Sequence, residues 1–473
     1  MVFNSYTFLL FFAVLLGLYY GLRSWTARKA LLLVASYVFY GVWNPPFVLL
    51  LVFSTVVDWT AARRIADSAS ARQKKAWVTV SLVSNLGILA AFKYADFALS
   101  TFQQVSGSLG VHFEPVRLGI VLPVGISFYT FQTLSYTLDA YRGALRPGRN
   151  FLDYALYVTF FPQLVAGPIV RAVDFLPQCE TPRPLDWNRI AWGTTLVLIG
   201  VTQKSVLADG FFAPIAERLY AGSGTPGFID AWAGTLAFAG QIYNDFAGYS
   251  TCAIGTALCL GFELPENFRY PYAAIGFSDF WRRWHISLST WLRDYLYISL
   301  GGNRRGAGRT NVNLMITMLL GGLWHGASWT FVVWGGLHGA YLVLEKGVKR
   351  LLGDSPFWRS VPARLVGAAL TFVLVCVTWV FFRADSFAKA FEVVRAMVGL
   401  GAHGRHMVRG EDVVIAFGLT TLMLAYQWRM RGHVLSELAR KTPWPYRAVA
   451  MAAMLVGIVN MSGDDRAFIY FQF

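Results

Sequence analysis

The sequence predicts an all-α, polytopic membrane protein with about ten to twelve membrane segments. Three observations carry this expectation. Hydrophobic residues make up 56% of the 473 positions and charged residues only 14%, against about 25% charged in soluble domains. Apolar runs of membrane-crossing length recur along the whole chain. The basic residues behind the net charge of +15 collect between those runs and not along one soluble domain, so they read as cytoplasmic loop charge and not as a nucleic-acid footprint.

Taken in order, the first run covers residues 7–22 and is followed by Arg23, Arg28 and Lys29. It lacks a basic leader and a small-residue cleavage site, so it reads as a retained span and not as a signal peptide. A second run reaches Trp43, where Asn44-Pro45-Pro46 turns the chain into a third that ends near Ala62, before Arg63, Arg64, Arg72, Lys74 and Lys75. A fourth, 76–97, leads to a loop without Lys or Arg until Arg117. The fifth, 118–138, ends at Arg142, Arg146 and Arg149. Basic and bare loops alternate, which places the N-terminus outside and the 23–29, 63–75 and 142–149 loops in the cytoplasm.

Beyond Arg149 the pattern changes. Residues 154–170 are apolar but carry Pro162, Gly167 and Pro168, which suits a broken or re-entrant segment better than a plain span. Further apolar runs lie near 190–207, 231–262, 361–382, 413–426 and 448–459. The chain reads as a single integral-membrane domain over 1–473, with a core at about 120–345 and C-terminal spans over 360–473. Cys179, Cys252, Cys259 and Cys376 have no metal or redox spacing, and no metal site is expected. Cys252 and Cys259 read as small hydrophobes in an apolar helix.

The run from Leu314 to Leu344 contains no Asp, Glu, Lys or Arg, and His325 sits within it. An ionisable group at bilayer depth is costly, so it marks a functional site by default. Histidine is suited to taking and returning a proton near neutral pH. A simple hydrogen bond to a neighbouring helix accounts for a lone membrane His equally well. His325 lies sixteen residues beyond Arg309, about 24 Å of unbroken helix. His338 follows thirteen residues later; in an uninterrupted helix the two would be about 220° apart and would not share a face.

The densest polar stretch lies between Arg269 and Arg309. Its centre, 281–295, reads as an amphipathic interfacial helix. Trp281, Trp284, His285, Leu288, Trp291, Leu292 and Tyr295 would share one face, with Arg282, Arg283, Arg293 and Asp294 on the other. An interfacial helix explains the arginines and tryptophans but not His285 on the apolar face. Upstream, Asp245 stands in an apolar region and needs a partner, which an Arg or His from 282–325 could supply; a helix-end cap or a structural ion pair accounts for it equally well.

Here the sequence resembles a known family. WRRWHISLSTWLRDYLYISLGGNR (281–304) and TMLLGGLWHGASWTFVVWGGLHG (317–339) are similar to segments of membrane-bound O-acyltransferases. They are joined by LPVGISFYTFQTLSYTLDAYRG (122–143), FFPQLVAGPIVRAVDFLPQ (160–178), YNDFAGYS (243–250), LCLGFELPENFRYPY (258–272) and the terminal FIYFQF. The resemblance spans nearly the whole chain in the family's order. It implies a helical fold with broken segments around a central tunnel, open to an acyl donor from the cytoplasm and an acceptor hydroxyl from outside. It implies that the family's intramembrane histidine is His325, in preference to His338, and that a second catalytic histidine is His285. Asp245, Arg282, Arg283 and Trp324 are the substrate-binding candidates.

The implied activity is transfer of an acetyl group across a bacterial inner membrane for O-acetylation of an extracytoplasmic polysaccharide, with alginate or a related exopolysaccharide first. Peptidoglycan O-acetylation and teichoic acid D-alanylation are the alternatives within the family. Acetyl-CoA is the expected donor, with no tightly bound cofactor. The expected partners are membrane lipid, the polysaccharide and a separate extracytoplasmic SGNH-type acetyltransferase. A small-solute transporter is the rival from another class, since broken helices and buried polar residues suit it too.

Overall fold

A computed structural model describes all residues except 117, 149, 354–359, 402–406, 462–467 and 470–473. Regular secondary structure among the described residues is helical throughout. Five helices are long and apolar enough to cross a membrane: Ala71–Ser108, Trp187–Tyr220, Val361–Arg383, Gly410–Met430 and Trp444–Met461. Tyr6–Gly21 is apolar but shorter. The other segments expected from the sequence fall on helices that are shorter, less apolar or more charged. The chain divides into two compact units, Met1–Thr194 with Ala253–Pro265, and Thr195–Cys252 with Glu266–Phe473.

In the first unit α1 (Tyr6–Gly21) and α2 (Trp25–Gly41) start on serine caps. Ser5 Oγ accepts from the Phe8 N–H at 3.1 Å, satisfying one of the donors a helix start leaves open. The three helices α3 (Phe47–Asp67), α4 (Ala71–Ser108) and α5 (Ile126–Arg142) meet around Asp58. That carboxylate accepts from Asn85 Nδ2 at 2.7 Å, from Thr137 Oγ1 at 2.8 Å and from Ser81 Oγ. Polar side chains from two neighbouring helices thus replace water around this buried carboxyl group and tie the three helices together.

α4 continues through a π-turn at Ala90–Tyr94 to Ser108, so the expected loop at 98–116 shrinks to the residues after 108. Single cysteines tested in a background lacking the four native ones should report the orientation. Ser24→Cys, Ala69→Cys and Ala144→Cys should react with an impermeant reagent only after permeabilisation, whereas His112→Cys should react in intact cells. Labelling of position 69 in intact cells would overturn the topology. Arg117 and Arg149, which help define these loops in the sequence, lie outside the described residues.

The broken segment expected over 154–170 is present. α6 (Phe151–Thr159) stops at Phe160, a single turn Phe161–Leu164 follows, and every residue from 154 to 170 is buried. Irregular backbone at this position is sustained because protein covers it: Tyr157 Oη donates to the Val170 carbonyl at 3.0 Å and Gln163 Nε2 to the Tyr157 carbonyl at 2.6 Å. α7 (Ala172–Glu180) closes the stretch.

The second unit contains residues 195–220 of α8 (Trp187–Tyr220) and 228–252 of α9 (Phe228–Cys259). Their backbones nearly touch: a Cβ on Gly200 would lie 2.5 Å from the Gly248 carbonyl and 2.6 Å from Cys252 Sγ. Cys252 fills this contact as a small hydrophobe, as its sequence context predicts. The four cysteines are free and buried.

The 314–344 run is not one helix. It folds into a hairpin of α12 (Gly306–His325) and α13 (Trp329–Leu352), with extended backbone at Gly326 and Ser328 capping the return through the Thr330 N–H. The sequence signal for an uninterrupted helix was missing charge, and missing charge does not distinguish one span from two packed legs. Small residues permit the packing. A Cβ on Gly322 would stand 2.3 Å from the Phe331 carbonyl, and one on Gly335 2.2 Å from the Met318 carbonyl. Because both obstacles are backbone, Gly335→Ala should cost about 1–3 kcal/mol. A Tm in detergent equal to that of the unsubstituted protein would show that the hairpin does not pack this tightly. The helices α14 (Val361–Arg383), α15 (Phe387–Met397), α16 (Gly410–Met430), α17 (Leu435–Lys441) and α18 (Trp444–Met461) complete the unit.

Candidate active site

His325 is the last residue of α12, where the helix must end for the hairpin to turn. This places its side chain among the aromatic residues of the second unit's core, 3% exposed. Its ring lies 5.0 Å from Trp324, 5.0 Å from Trp334 and 5.4 Å from Phe382, each approached edge-on. Such a shell keeps bulk water from the imidazole.

His285 arrives from a different kind of element. The predicted amphipathic helix over 281–295 is broken at this residue. Phe277–Trp281 forms one turn, His285 has φ +42°, and Ile286–Trp291 continues into a π-turn over Leu292–Tyr297. The two faces still separate as the periodicity expects, with Trp284, His285, Leu288, Trp291, Leu292 and Tyr295 buried and Arg282 and Arg293 exposed. What breaks the helix is a pairing with the preceding segment: the Arg269 N–H donates to the Arg283 carbonyl and the Ile286 N–H to the Asn267 carbonyl, both at 2.9 Å. Non-glycine residues with positive φ are uncommon and strained. Among the described residues His285 and Tyr270 alone adopt it, and they stand on these two paired segments. The strained turn carries His285 to full burial.

The two histidines come together. Their ring centroids are 6.4 Å apart, with Trp324 6.2 Å from His285 and Phe246 4.6 Å from it. One bound group could contact both rings. His338 stands apart: its Nε2 is 3.0 Å from Thr378 Oγ1, its ring lies on Phe280, and Trp334 separates it from His325.

The other predicted residues separate into two groups. Trp324 belongs to the histidine shell. Asp245 is paired, but not with the 282–325 region: Lys204 Nζ lies 2.7 Å from one carboxylate oxygen, and the Ile469 N–H donates to the other at 2.7 Å. Lys204 also meets Asp209 at 3.0 Å. The sequence signal for this pairing is a lysine inside α8, in the middle of an apolar run. Of the terminal FIYFQF, Phe468 and Ile469 are described, whereas 470–473 lie outside the described residues.

Arg283 is occupied structurally, with Nε 2.8 Å from Asp279 and Nη1 on the Arg269 and Arg431 carbonyls. Arg431 reaches the same carboxylate at 2.6 Å. Burial by itself would raise the Asp279 carboxyl. The Ile275 N–H and the two guanidinium groups outweigh it and hold the carboxyl below its ordinary range. Arg282 is exposed.

Sequence reasoning assigned no role to Asn267, yet it touches His285 directly, with Oδ1 3.1 Å from His285 Nδ1. Its amide nitrogen donates to Ser250 Oγ at 3.1 Å, so the 243–250 and 258–272 motifs meet beside the histidine. No periodicity marks such a residue, because it lies in irregular chain between Pro265 and Pro271.

The family model described as the membrane-bound O-acyltransferase family matches residues 143–384, just over half the chain. The chain is 44% identical over 90% of its length, and 83% of the relative's, to "Probable alginate O-acetylase AlgI" of Azotobacter vinelandii. The protein of the same name in Pseudomonas aeruginosa is 43% identical over 90% of this chain and 80% of its own. A "Peptidoglycan O-acetyltransferase" of Helicobacter pylori is 38% identical over 79% of this chain and 74% of its own.

The chain belongs to the membrane-bound O-acyltransferase family. It is a multi-pass membrane acyltransferase. The family match contains both members of the histidine pair, the strained turn and the α12–α13 hairpin.

Proposed function

We propose that this acyltransferase carries an acetyl group from cytoplasmic acetyl-CoA across the bacterial inner membrane for O-acetylation of an extracytoplasmic polysaccharide, alginate or a related exopolysaccharide. The observation that carries the reaction is the buried His285–His325 pair, 6.4 Å apart in an aromatic shell. The choice of polymer rests on relatives whose names specify alginate, at 43–44% identity over 90% of the chain.

In this reading an acceptor hydroxyl reaches the pair through a tunnel from outside, and the donor thioester from the cytoplasm. His325 takes the hydroxyl proton as the oxygen attacks the thioester carbonyl carbon. Collapse of the tetrahedral intermediate breaks the C–S bond, and the departing thiolate receives the proton from His325. The products are an O-acetyl ester and a free thiol, and the histidine returns to its neutral form. His285 orients or polarises the reacting groups. General-base catalysis of this type contributes about 10²–10⁴-fold, and placing both reactants in a dry site adds more. Trp324 packs against the donor or acceptor. Arg282, exposed beside the pair's entry turn, receives the phosphates of the donor, while Arg283 and Asp245 keep the fold around it in place. A separate SGNH-type acetyltransferase takes the acetyl group onward to the polymer.

Purified protein in vesicles should release free CoA from acetyl-CoA only when an acceptor hydroxyl is supplied. Movement of a small solute without thioester cleavage would replace this reading with transport. Acetylation of peptidoglycan and not of alginate in a complemented deletion strain would move the acceptor to that named for the Helicobacter relative.

A further inference from the structure

We propose that Asn267 is the positioning residue that sets the tautomer of His285, placing its ring proton on Nδ1 and leaving Nε2 as the basic nitrogen. The inference rests on the proposed role of His285 in acyl transfer, and it begins with the orientation of the Asn267 amide. The Ser287 backbone N–H points at that amide from 3.3 Å and the Ser287 hydroxyl from 2.9 Å, both toward Oδ1. A backbone N–H can only donate. Rotating the amide by half a turn would set its NH2 against the Ser287 N–H, donor against donor, and would remove the bond from Nδ2 to Ser250 Oγ. The atom facing this cluster is therefore the oxygen.

His285 Nδ1, 3.1 Å from the same oxygen, must then carry hydrogen. A neutral imidazole has one ring proton, so the lone pair lies on Nε2. The tautomer of a working histidine is fixed by what its other nitrogen meets, and here the fixing group is an uncharged amide. It holds the proton on Nδ1 without the added basicity that a carboxylate would confer. The backbone reinforces the arrangement. The Asn267 carbonyl accepts the Ile286 N–H, so one residue holds both the strained turn at φ +42° and the ring orientation of His285.

Two substitutions separate the side-chain effect from this backbone effect, since the main-chain carbonyl survives in both. Asn267→Ala removes the acceptor and should lower kcat for acetyl-CoA turnover by about 10- to 100-fold, the size typical when the outer partner of a working histidine is lost, with KM unchanged. Asn267→Asp keeps an acceptor for Nδ1–H and should retain a rate within a few-fold of the unsubstituted protein. In a His285→Ala background Asn267→Ala should cost nothing further. An equal loss in both backgrounds would make Asn267 a structural residue and overturn the inference.

Solid-state spectra of protein carrying 13C,15N-labelled histidine, with His285 assigned by its loss in His285→Ala, should show the Nδ1–H form. An Nε2–H signal would overturn the inference whatever the kinetics show. If His285→Ala leaves turnover at its original rate, it is the catalytic reading of His285 that fails, and the spectrum still decides where the proton sits.

Discussion

Replacing His325 by Ala should abolish polymer-bound acetate in a complemented deletion strain, while the protein still inserts and accumulates. The two halves of this result have separate causes. Alanine inserts into a membrane helix without penalty, and His325 is the final residue of α12, so no helical turn beyond it is lost. The imidazole is nonetheless the group that the proposed mechanism needs to take the acceptor's proton, and the expected loss is about 10²–10⁴-fold. Trp334 and Phe382 border the space the ring would vacate, so some loss of packing accompanies the loss of chemistry. His338→Ala controls for that part. It too removes a buried ring against Trp334 and a bond to Thr378, but no step of the reaction passes through it. Acetylation near the original level in His325→Ala would end the proposed role, and an equally deep loss in His338→Ala would attribute the effect to packing.

Helical class and the broken 154–170 segment were legible because apolar runs and proline positions report directly on bilayer and backbone constraints. Titratable groups in an uncharged run stand out, but the 314–344 run holds both His325 and His338, and it is the family resemblance that points to His325. The hairpin was not legible, since the glycines that allow α12 and α13 to touch also occur in single spans, and only the distances from Gly322 and Gly335 to opposing carbonyls reveal a packed pair. The helix assigned to 281–295 failed for a related reason. Helical periodicity assumes local hydrogen bonding, whereas the backbone on either side of His285 is bonded to residues 267–269, in a separate stretch of chain. Asp245 needs a partner, as its apolar surroundings imply, but the polar stretch at 282–325 does not supply it. Its cation, Lys204, comes from the preceding helix, and pairing between helices is not encoded in spacing along one of them.

The double variant His285→Ala/His325→Ala should be little worse than His325→Ala alone. Groups that act on the same step as a unit are non-additive when removed, because the first loss already forfeits what the second would have contributed. The geometry that leads to this expectation is the 6.4 Å between the ring centroids, with Trp324 near both. That spacing lets one thioester or one hydroxyl contact the two imidazoles together. It also means that the single variants cannot be treated as distant, independent sites, whose effects would simply add. The measurement requires an assay that resolves residual rates, such as release of radiolabelled acetate equivalents from purified protein in vesicles. His285→Ala alone should lower kcat by a smaller factor than His325→Ala, since its proposed part is to orient or polarise and not to carry the proton. If the two single losses multiply in the double variant, the histidines act independently, and the strained turn at His285 holds the fold and does not serve the reaction.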